Sequence, residues 1–245
     1  MMKIKRELIP INRNNRPGSL IVPEYITIHD TGNTSPFADA EAHAAYLLSS
    51  TAARLPVSWH FTVDGGNVSG SKSPEVYQHI PLNEAAFHAG RVANHNSIGI
   101  EICMNSDGLR GMAEILTADL IIFLLNTVPT LLPFPECMKQ HWDWTGKNCP
   151  QLIRSRNNGW NNFLGMVESR MNKIEKEIKH LSEIGILAHP PSYWLRNAVP
   201  GRQVDGHFAQ VILKRVSDYI IKQDEEIKEL KQAGRNMIEA GRVFI

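Results

Sequence analysis

A histidine and a cysteine lie close together in the segment His141-Trp142-Asp143-Trp144-Thr145-Gly146-Lys147-Asn148-Cys149-Pro150. Zinc accepts imidazole nitrogen and thiolate sulfur as ligands, and a polar loop that contains a glycine can bring both to one metal ion. A catalytic zinc site keeps three protein ligands and leaves the fourth position to water. His141 and Cys149 are therefore predicted to supply two ligands, and the third must come from elsewhere in the chain.

Two predicted strands carry further candidates. His29 ends the segment 25–29 (YITIH), whose β-branched and aromatic residues predict a strand, and a sheet would hold its ring rigidly. The spacing alone does not select His29 as the third ligand among the ten histidines. Glu101 lies between two isoleucines in the predicted strand 97–103 (SIGIEIC), so alternation places its carboxylate on the face opposite to them.

The elements that must position these residues alternate along the first two thirds of the chain. Besides the two strands above, the residue patterns predict a helix over 39–50, a strand over 57–63 that ends in a hairpin turn, its partner over 77–80, a helix capped by Thr117 that runs to about Thr127, and a helix from Trp160. The segment 141–150 is predicted to be a loop. Strands mixed with helices predict an α/β fold, with a sheet covered by helices.

Composition excludes several classes of protein. The chain has 245 residues, 42% of them hydrophobic, which is enough for one full core and a smaller module. A net charge of +1 without a long basic run gives no reason to expect nucleic-acid binding. The basic start lacks a following apolar segment, and the run from Leu120 to Leu132 is too short to span a bilayer. We therefore expect synthesis in the cytoplasm without a signal peptide, and no membrane insertion.

Composition changes near Met171, which predicts three parts: a catalytic domain over 1–171, a helical linker over 172–184 and a C-terminal module over 185–245. Ile174, Ile178 and Leu181 form an amphipathic stripe among Lys and Glu residues. The C-terminal module is rich in aromatic residues and ends in a Lys/Glu-rich stretch. Self-association into a homo-oligomer is one function that fits the helical end of this module.

Five blocks of the sequence, IHDTG, WHFTVDGG, FHAG, NHNSIGIEIC and HWDWTGKNCP, resemble in order and spacing the type-2 N-acetylmuramoyl-L-alanine amidases. The resemblance covers about residues 20–170 and is strongest to endolysins of phages and prophages of Gram-positive bacteria. It implies a central mixed β-sheet flanked by helices, as in peptidoglycan recognition proteins. The residue pattern after it predicts a small, mainly helical C-terminal module. Because endolysins often pair a catalytic domain with a wall-binding domain, the resemblance implies that this module binds a cell-wall polymer, with self-association as a companion.

Residue by residue, the resemblance implies that His29, His141 and Cys149 bind Zn²⁺. Glu101 matches the catalytic glutamate of the family, and Lys147 matches the lysine beside the thiolate ligand. A zinc-bound water has a pKa of about 7, so a nucleophile is available at neutral pH. Glu101 would carry its proton to the leaving nitrogen, and Lys147 would stabilise the oxyanion, although Lys147 could also be an ordinary loop charge.

Three further residues are candidates for substrate binding. His88, in FHAG, lies in a block that lines the substrate groove of the family, although a ligand or groove-wall role also fits it. Asn96 belongs to the block around Glu101. His60 is either structural support beneath the site or a substrate contact. Trp142 and Trp144 could pack in the core or stack on a sugar, and the sequence does not separate these alternatives.

The resemblance implies hydrolysis of the amide bond between N-acetylmuramic acid and L-alanine of bacterial peptidoglycan, which lyses the cell wall. The enzyme would act on the wall after release from the cytoplasm. An amidase of wall recycling or sporulation is the alternative, and a non-catalytic peptidoglycan-binding protein is a further one. Such recognition proteins typically lack the thiolate ligand, whereas Cys149 is present here. Cys103 and Cys137 are expected to be buried without a chemical role.

Overall fold

The computed structural model describes residues 2–197 and 206–242. The chain divides into two compact units, of which the first takes in residues 2–173 and the second the described residues from 174 onward. Residues 198–205 and 243–245, which belong to the predicted C-terminal module, lie outside the described residues.

A six-stranded sheet organises the first unit. Its strands are β1 (Ile4–Arg6), β2 (Tyr25–Asp30), β3 (Phe61–Asp64), β4 (Glu75–Gln78), β5 (Ser97–Ile102) and β6 (Met138–Gln140). Their order across the sheet is β1-β4-β3-β5-β2-β6, and every neighbouring pair is parallel except the antiparallel pair β3–β4. This mixed sheet confirms the predicted fold class.

Five helices lie within the first unit: α1 (Ala40–Leu48), α2 (Arg91–Asn96), α3 (Arg110–Thr127), α4 (His141–Thr145) and α5 (Gln151–Arg154). The boundary between the units falls within α6 (Gly159–Glu183), and the second unit continues with α7 (Pro191–Asn197) and α8 (Gly206–Arg242). Helices α1 and α3 both pack against β3. The central strands are therefore covered, and Ile26, Ile28 and Ile100 are fully buried, as is typical of parallel strands in the middle of a sheet.

Several predicted element boundaries were wrong. Helix α3 begins at Arg110 rather than at Thr117, whose hydroxyl donates to the carbonyl of Ala113 inside the helix instead of capping it. Residues 57–60 are not a strand, because the backbone of Ser58 is hydrogen-bonded to a loop at Phe87 and regular pairing starts only at Phe61. The segment 141–150 is not all loop, since its first five residues form α4.

The second unit has a small apolar core of its own. Ile186, Leu187 and Trp194 are buried together, and the residues packed against them come from α6, α7, α8 and the turn after α6: Ile178, Leu181, Ile184, Tyr193, Ile212, Val216 and Tyr219. The predicted linker 172–184 is the last part of the continuous helix α6. Among the described residues, no helix is both long enough and apolar enough to cross a membrane.

Candidate metal centre

The register of the sheet places His29 beside Glu101. Strands β2 and β5 run parallel, and His29 pairs with Glu101 at their carboxyl ends. Paired residues of neighbouring strands point to the same face, so the imidazole and the carboxylate project together. His29 Nδ1 lies 3.8 Å from Glu101 Oε1. Two of the predicted site residues are therefore brought together by strand pairing alone.

His141 reaches the same place from the other side of β2. Strand β6 is parallel to β2, and its last residue, Gln140, pairs with Ile28, one position before His29. Gln140 then caps α4 in a capping box, in which its backbone N–H donates to Asp143 Oδ2 at 2.7 Å. The chain thus turns from strand to helix at His141, so that its ring lies next to that of His29.

Cys149 returns to the site through the turn that follows α4. Gly146 ends the helix in a left-handed conformation, φ 75°, which glycine adopts without a steric penalty. The carbonyl of Cys149 accepts a hydrogen bond from the backbone N–H of Trp142 at 3.0 Å, which closes the segment on itself. The backbone N–H of Asp30 lies 3.3 Å from Cys149 Sγ and donates to the sulfur.

His29, His141 and Cys149 form a compact and buried cluster. Their candidate ligand atoms all lie within 4.8 Å of one another. His29 Nδ1 is 3.0 Å from His141 Nδ1 and 3.9 Å from Cys149 Sγ. Around one zinc ion, the known Zn–N and Zn–S bond lengths place tetrahedral ligands about 3.3–3.6 Å apart. The two distances from His29 lie on either side of these values, so the three side chains are suited to hold one small metal ion.

Burial keeps both imidazoles neutral, which is the form that binds metal. Burial lowers the pKa of His29 well below 6.5, and the neighbouring His88 and His141 lower it further. It also lowers the pKa of His141 to about 4, with Lys147 acting in the same direction. The contact between His29 and Glu101 is therefore not an ion pair.

Burial disfavours the charged forms of the two acidic groups at the cluster, the Cys149 thiol and the Glu101 carboxyl. Burial raises the pKa of the Cys149 thiol to about 12, and the negative charges of Glu101 and Asp30 raise it further. Burial raises the pKa of Glu101 to about 8, with Asp30 adding to the shift and Lys147 opposing it. Glu101 Oε2 has no hydrogen-bond partner among the described residues. A cation among these groups would stabilise the thiolate and the carboxylate together.

The cluster opens onto a groove of about 350 Å³. The lining combines candidate ligands, acidic and basic groups and apolar walls: Asp30, Thr31, Gly32, Val57, Trp59, Phe87, His88, Glu101, His141, Lys147, Asn148, Cys149 and Gln151. Lys147 is exposed, whereas the three candidate ligands are buried. A second cavity of about 380 Å³, which His43 and Tyr46 help to line, shares Thr31, Val57 and Trp59 with the groove. The groove and the second cavity therefore adjoin each other.

Of the three residues predicted to bind substrate, the structure places one in the groove and two outside its lining. His88 lines the groove, and its Nδ1 lies 2.9 Å from His29 Nε2. His60 is fully buried, with Nε2 bonded to the carbonyl of Glu84 and Nδ1 accepting from the backbone N–H of Gly99. Asn96 does not line the groove, and its amide donates to Glu24. Neither His60 nor Asn96 lines the groove, and substrate binding by either residue stays a prediction.

The two tryptophans of α4 differ in environment. Trp142 is 44% exposed, and the guanidinium of Arg154 lies 4.1 Å from its ring centre. Trp144 packs edge-on against Tyr25 and donates from Nε1 to Thr27 Oγ1 at 2.9 Å. Neither ring lines the groove at the cluster.

The sequence interpretation missed Asp30 and Arg110. The Asp30 carboxylate is buried directly behind His29, accepts from the backbone N–H of Leu152 at 2.7 Å and forms an ion pair with Arg110 at 2.6 Å. The only sequence signal was the acidic residue next to a candidate ligand. Nothing in the local pattern indicates an arginine 80 positions later as its partner.

Comparison with known proteins agrees with this geometry. A sequence model of the N-acetylmuramoyl-L-alanine amidase family matches residues 19–151, more than half of the chain. The N-acetylmuramoyl-L-alanine amidase XlyA of Bacillus subtilis (strain 168) is 40% identical over 174 residues, which are 66% of this chain and 50% of that protein. The amidase CwlH of the same organism is 38% identical, over 69% of this chain and 62% of that protein.

The chain therefore spans between half and two thirds of the length of these two relatives. Among solved structures, the catalytic domain of XlyA is similar with a TM-score of 0.59 and 38% identity, over 68% of this chain and 99% of that one. A mutant of PlyL has a TM-score of 0.57 and 26% identity, over 69% of this chain and 99% of that one. From residue 19 to residue 151, with all three candidate ligands inside the match, the chain belongs to the N-acetylmuramoyl-L-alanine amidase family.

Proposed function

We propose that the protein hydrolyses the amide bond between N-acetylmuramic acid and the L-alanine of the peptidoglycan stem peptide. The observation that carries this proposal is the buried cluster His29, His141 and Cys149, with Glu101 beside it in the lining of a groove. Glu101 Oε2 has no hydrogen-bond partner among the described residues. Membership of the amidase family supplies the identity of the bond. The site's residues supply the reaction class, hydrolysis assisted by a metal ion.

We further propose that the cluster holds Zn²⁺. A set of two imidazole nitrogens and one thiolate sulfur is suited to zinc, whereas Mg²⁺ and Ca²⁺ prefer oxygen ligands. No fourth His, Cys, Asp or Glu joins the cluster among the described residues, so one position would stay open, as in catalytic zinc sites. When bound, zinc supplies Lewis acidity and lowers the pKa of a water molecule in the site.

The chain's own residues move the proton and stabilise charge. Glu101 accepts a proton at its carboxylate from the attacking water and gives it to the amide nitrogen as the bond to the carbonyl carbon breaks. The products are the free lactyl carboxylate and the free amine of L-alanine. Burial raises the pKa of Glu101, and a cation in the site would lower it again, so the carboxylate can take up the proton and return it.

Lys147 contributes positive charge in the groove. Its ammonium lowers the pKa of Glu101 and His141, which shows that its field reaches the cluster. Negative charge that develops on the substrate carbonyl oxygen is stabilised by such a field. Asp30 holds the loop of Cys149 and takes no part in proton transfer in this scheme.

Mass spectrometry of peptidoglycan digested with the full chain tests the proposal. We expect stem peptides with a free L-alanine amine and glycan strands that keep intact lactyl groups. Cys149→Ala should bind walls without releasing these peptides. New reducing sugars without new amino groups would show that the protein is a glycosidase instead. Walls that are bound but not cut by the zinc-loaded wild type would favour the non-catalytic binding protein.

We propose that the protein lyses the intact cell wall from outside the membrane, as a lytic endolysin does, and that it does not serve in wall recycling. The solved neighbours include an endolysin of Bacillus subtilis that is 39% identical over 68% of this chain. Turbidity loss on intact Gram-positive cell walls tests this choice. Activity confined to small soluble wall fragments would favour the recycling role.

The second unit is proposed to bind a cell-wall polymer, with self-association as a companion function. Tyr193 packs against the small core and stays half-buried, so it is the aromatic residue proposed to contact carbohydrate, whereas Trp194 is buried in that core. Beyond that core, α8 carries Ile220, Ile227 and Leu230 at helical spacing, each 45–73% exposed. Co-sedimentation with purified wall and analytical ultracentrifugation of the full chain measure the two functions. Retention of wall binding by Tyr193→Ala would count against the aromatic contact.

A further inference from the structure

His88 touches His29 on the side that faces away from the ligand cluster. His29 Nδ1 points to His141, whereas His29 Nε2 lies 2.9 Å from His88 Nδ1. We propose that His88 is a positioning residue, which holds His29 in its metal-binding tautomer through a line of hydrogen bonds that starts at Trp144. This inference rests on the proposed metal site and deepens it.

The fold makes a place for the His88 ring. Gly99 of β5 pairs with Thr27 of β2, and a Cβ at position 99 would lie 2.8 Å from Cγ of His88. Only a glycine leaves room for an imidazole above this part of the sheet. The backbone N–H of His88 donates to Asn94 Oδ1 at 2.9 Å, which fixes the loop that carries the ring. The rings of His29 and His88 stand edge to face, with an interplanar angle of 85°.

The direction of the hydrogen bonds follows from groups that can act in one way only. The indole of Trp144 can only donate, so Thr27 Oγ1 accepts from it at 2.9 Å. The carbonyl of Ala93 can only accept, so Ser97 Oγ donates its single proton there at 2.9 Å. Thr27 and Ser97 are 2.8 Å apart, and Thr27 must be the donor because the Ser97 proton is already used.

The same reasoning fixes the direction of the hydrogen bond between His88 and the candidate ligand His29. Ser97 Oγ has only acceptor capacity left, and His88 Nε2 lies 3.5 Å from it, so His88 Nε2 carries the proton. His88 Nδ1 is then a bare acceptor, and His29 must donate to it from Nε2. His29 Nδ1 consequently presents its lone pair to His141 and Cys149, which is the form that binds a metal ion.

Metal-binding histidines usually donate their second ring N–H to a carboxylate, a carbonyl or a water, and loss of such a partner weakens metal affinity about 10–100-fold. Here a second imidazole takes that place. Because Trp144 lies on the helix that begins at His141, the line also connects the positions of both histidine ligands.

The test is zinc affinity of the full chain, measured by competition with a chromophoric chelator, together with the visible spectrum of the Co²⁺-substituted protein. His88→Asn places its amide oxygen near the position of Nδ1 and should bind zinc within about threefold of wild type. His88→Gln has similar polarity but reaches past that position, and His88→Ala offers no acceptor. Both should bind zinc about 10–100-fold more weakly and show an altered Co²⁺ spectrum.

Ser97→Ala removes the hydroxyl between Thr27 and His88, and position 97 does not line the groove. This variant should also bind zinc more weakly than wild type while the sheet stays folded. Val57→Ala alters the groove wall away from His29 and serves as the control with unchanged zinc affinity. Equal zinc affinity of wild type, His88→Gln and His88→Ala would overturn the inference, and a change confined to KM would make His88 a substrate contact. Failure of wild type to bind zinc would instead overturn the proposed metal site itself.

Discussion

The carboxylate of Asp30 and the guanidinium of Arg110 form a buried ion pair, 2.6 Å apart, directly behind the candidate metal centre. Asp30 also accepts from the backbone N–H of Leu152 and donates its own backbone N–H to Cys149 Sγ. Arg110 reaches the carbonyls of Ile102 and Cys103, just past β5. One pair of charges thus ties together the ends of β2 and β5 and the segment that carries Cys149.

Arg110→Met should destabilise the protein strongly. The Asp30 side chain is 1% exposed, and removal of the partner of a buried charge costs about 3–5 kcal/mol of unfolding free energy. The double variant Asp30→Asn with Arg110→Met should recover part of this loss, because no buried charge is left unpaired. Urea denaturation of the full chain measures both effects.

Arg156→Met is the matched control. Arg156 pairs with Glu114, which also pairs with Arg110 and therefore keeps a partner when Arg156 is removed. The Arg156 side chain is 48% exposed, so its removal should cost about 1 kcal/mol or less. Equal losses for the Arg110 and Arg156 variants would mean that burial of the Asp30 pair does not set its contribution.

Glu101→Gln should abolish most amidase activity and leave the metal in place. The amide is nearly isosteric but cannot take up the proton of the attacking water, and loss of such a group typically lowers kcat about 10²–10⁴-fold. Release of stem peptides measures the rate, and metal analysis of the same sample provides the control. Near-normal rates in a zinc-loaded variant would remove Glu101 from proton transfer.

Lys147→Met should lower kcat without loss of the fold. The side chain is exposed, so no buried partner is orphaned, and the expected effect is about 10²-fold, as for removal of one oxyanion-stabilising group. Lys147→Arg retains the charge and should keep more activity than the methionine variant. Equal activity of all three proteins would mean that Lys147 is an ordinary loop charge.

Parallel pairing explains why much of the site could be predicted from the sequence. Strands β2 and β5 were predicted to within one residue, because buried parallel strands are continuous runs of β-branched residues. His29 and Glu101 end these runs, so a correct strand prediction already places them at the same edge of the sheet. His141 and Cys149 lie in one short segment, so their proximity in space could be predicted from their proximity in sequence.

Other parts depend on contacts that are distant in sequence. Strand β6 has three residues and lacks a pattern of its own; it exists because β2 offers a free edge. Helix α3 starts at Arg110 without a side-chain cap, and the arginine is placed there by its contacts with Asp30 and the end of β5. The sequence pattern around Thr117 could not reveal either relationship.

Removal of metal should lower the melting temperature of the wild type. A ligand present at about 1,000 times its dissociation constant contributes about 4 kcal/mol to the stability of the protein that binds it. A chelator should therefore lower the melting temperature measurably, and addition of zinc should restore it. Cys149→Ala should show little response, because one of three ligands is gone.

Cys137→Ala is the control for this experiment. Cys137 is fully buried outside the cluster, so its variant should lose some stability but keep the full response to chelator and zinc. If the Cys149 and Cys137 variants respond alike, the thiolate of Cys149 contributes nothing to metal binding.

Asp64 should make the protein less stable as pH rises from about 4 to about 6. Burial raises its pKa from 3.8 to about 6, with Asp39 and Glu75 adding to the shift, so the folded state holds this proton more tightly than the unfolded state. That preference stabilises the folded state in acid and is lost as the carboxyl ionises. For a shift of this size the loss is up to about 3 kcal/mol of unfolding free energy.

Asp64→Asn keeps the acceptor for the Gly66 N–H and should remove this pH dependence. Asp107→Asn is the control, because hydrogen bonds from the Phe37 N–H and Asn105 lower the pKa of Asp107 below 3.8. This carboxyl therefore contributes no fall in stability between pH 4 and pH 7, and its variant should keep the decline of the wild type. Unfolding free energies of the three proteins are measured at pH 4, 5, 6 and 7. Parallel curves for wild type and Asp64→Asn would show that folding does not raise the pKa of Asp64.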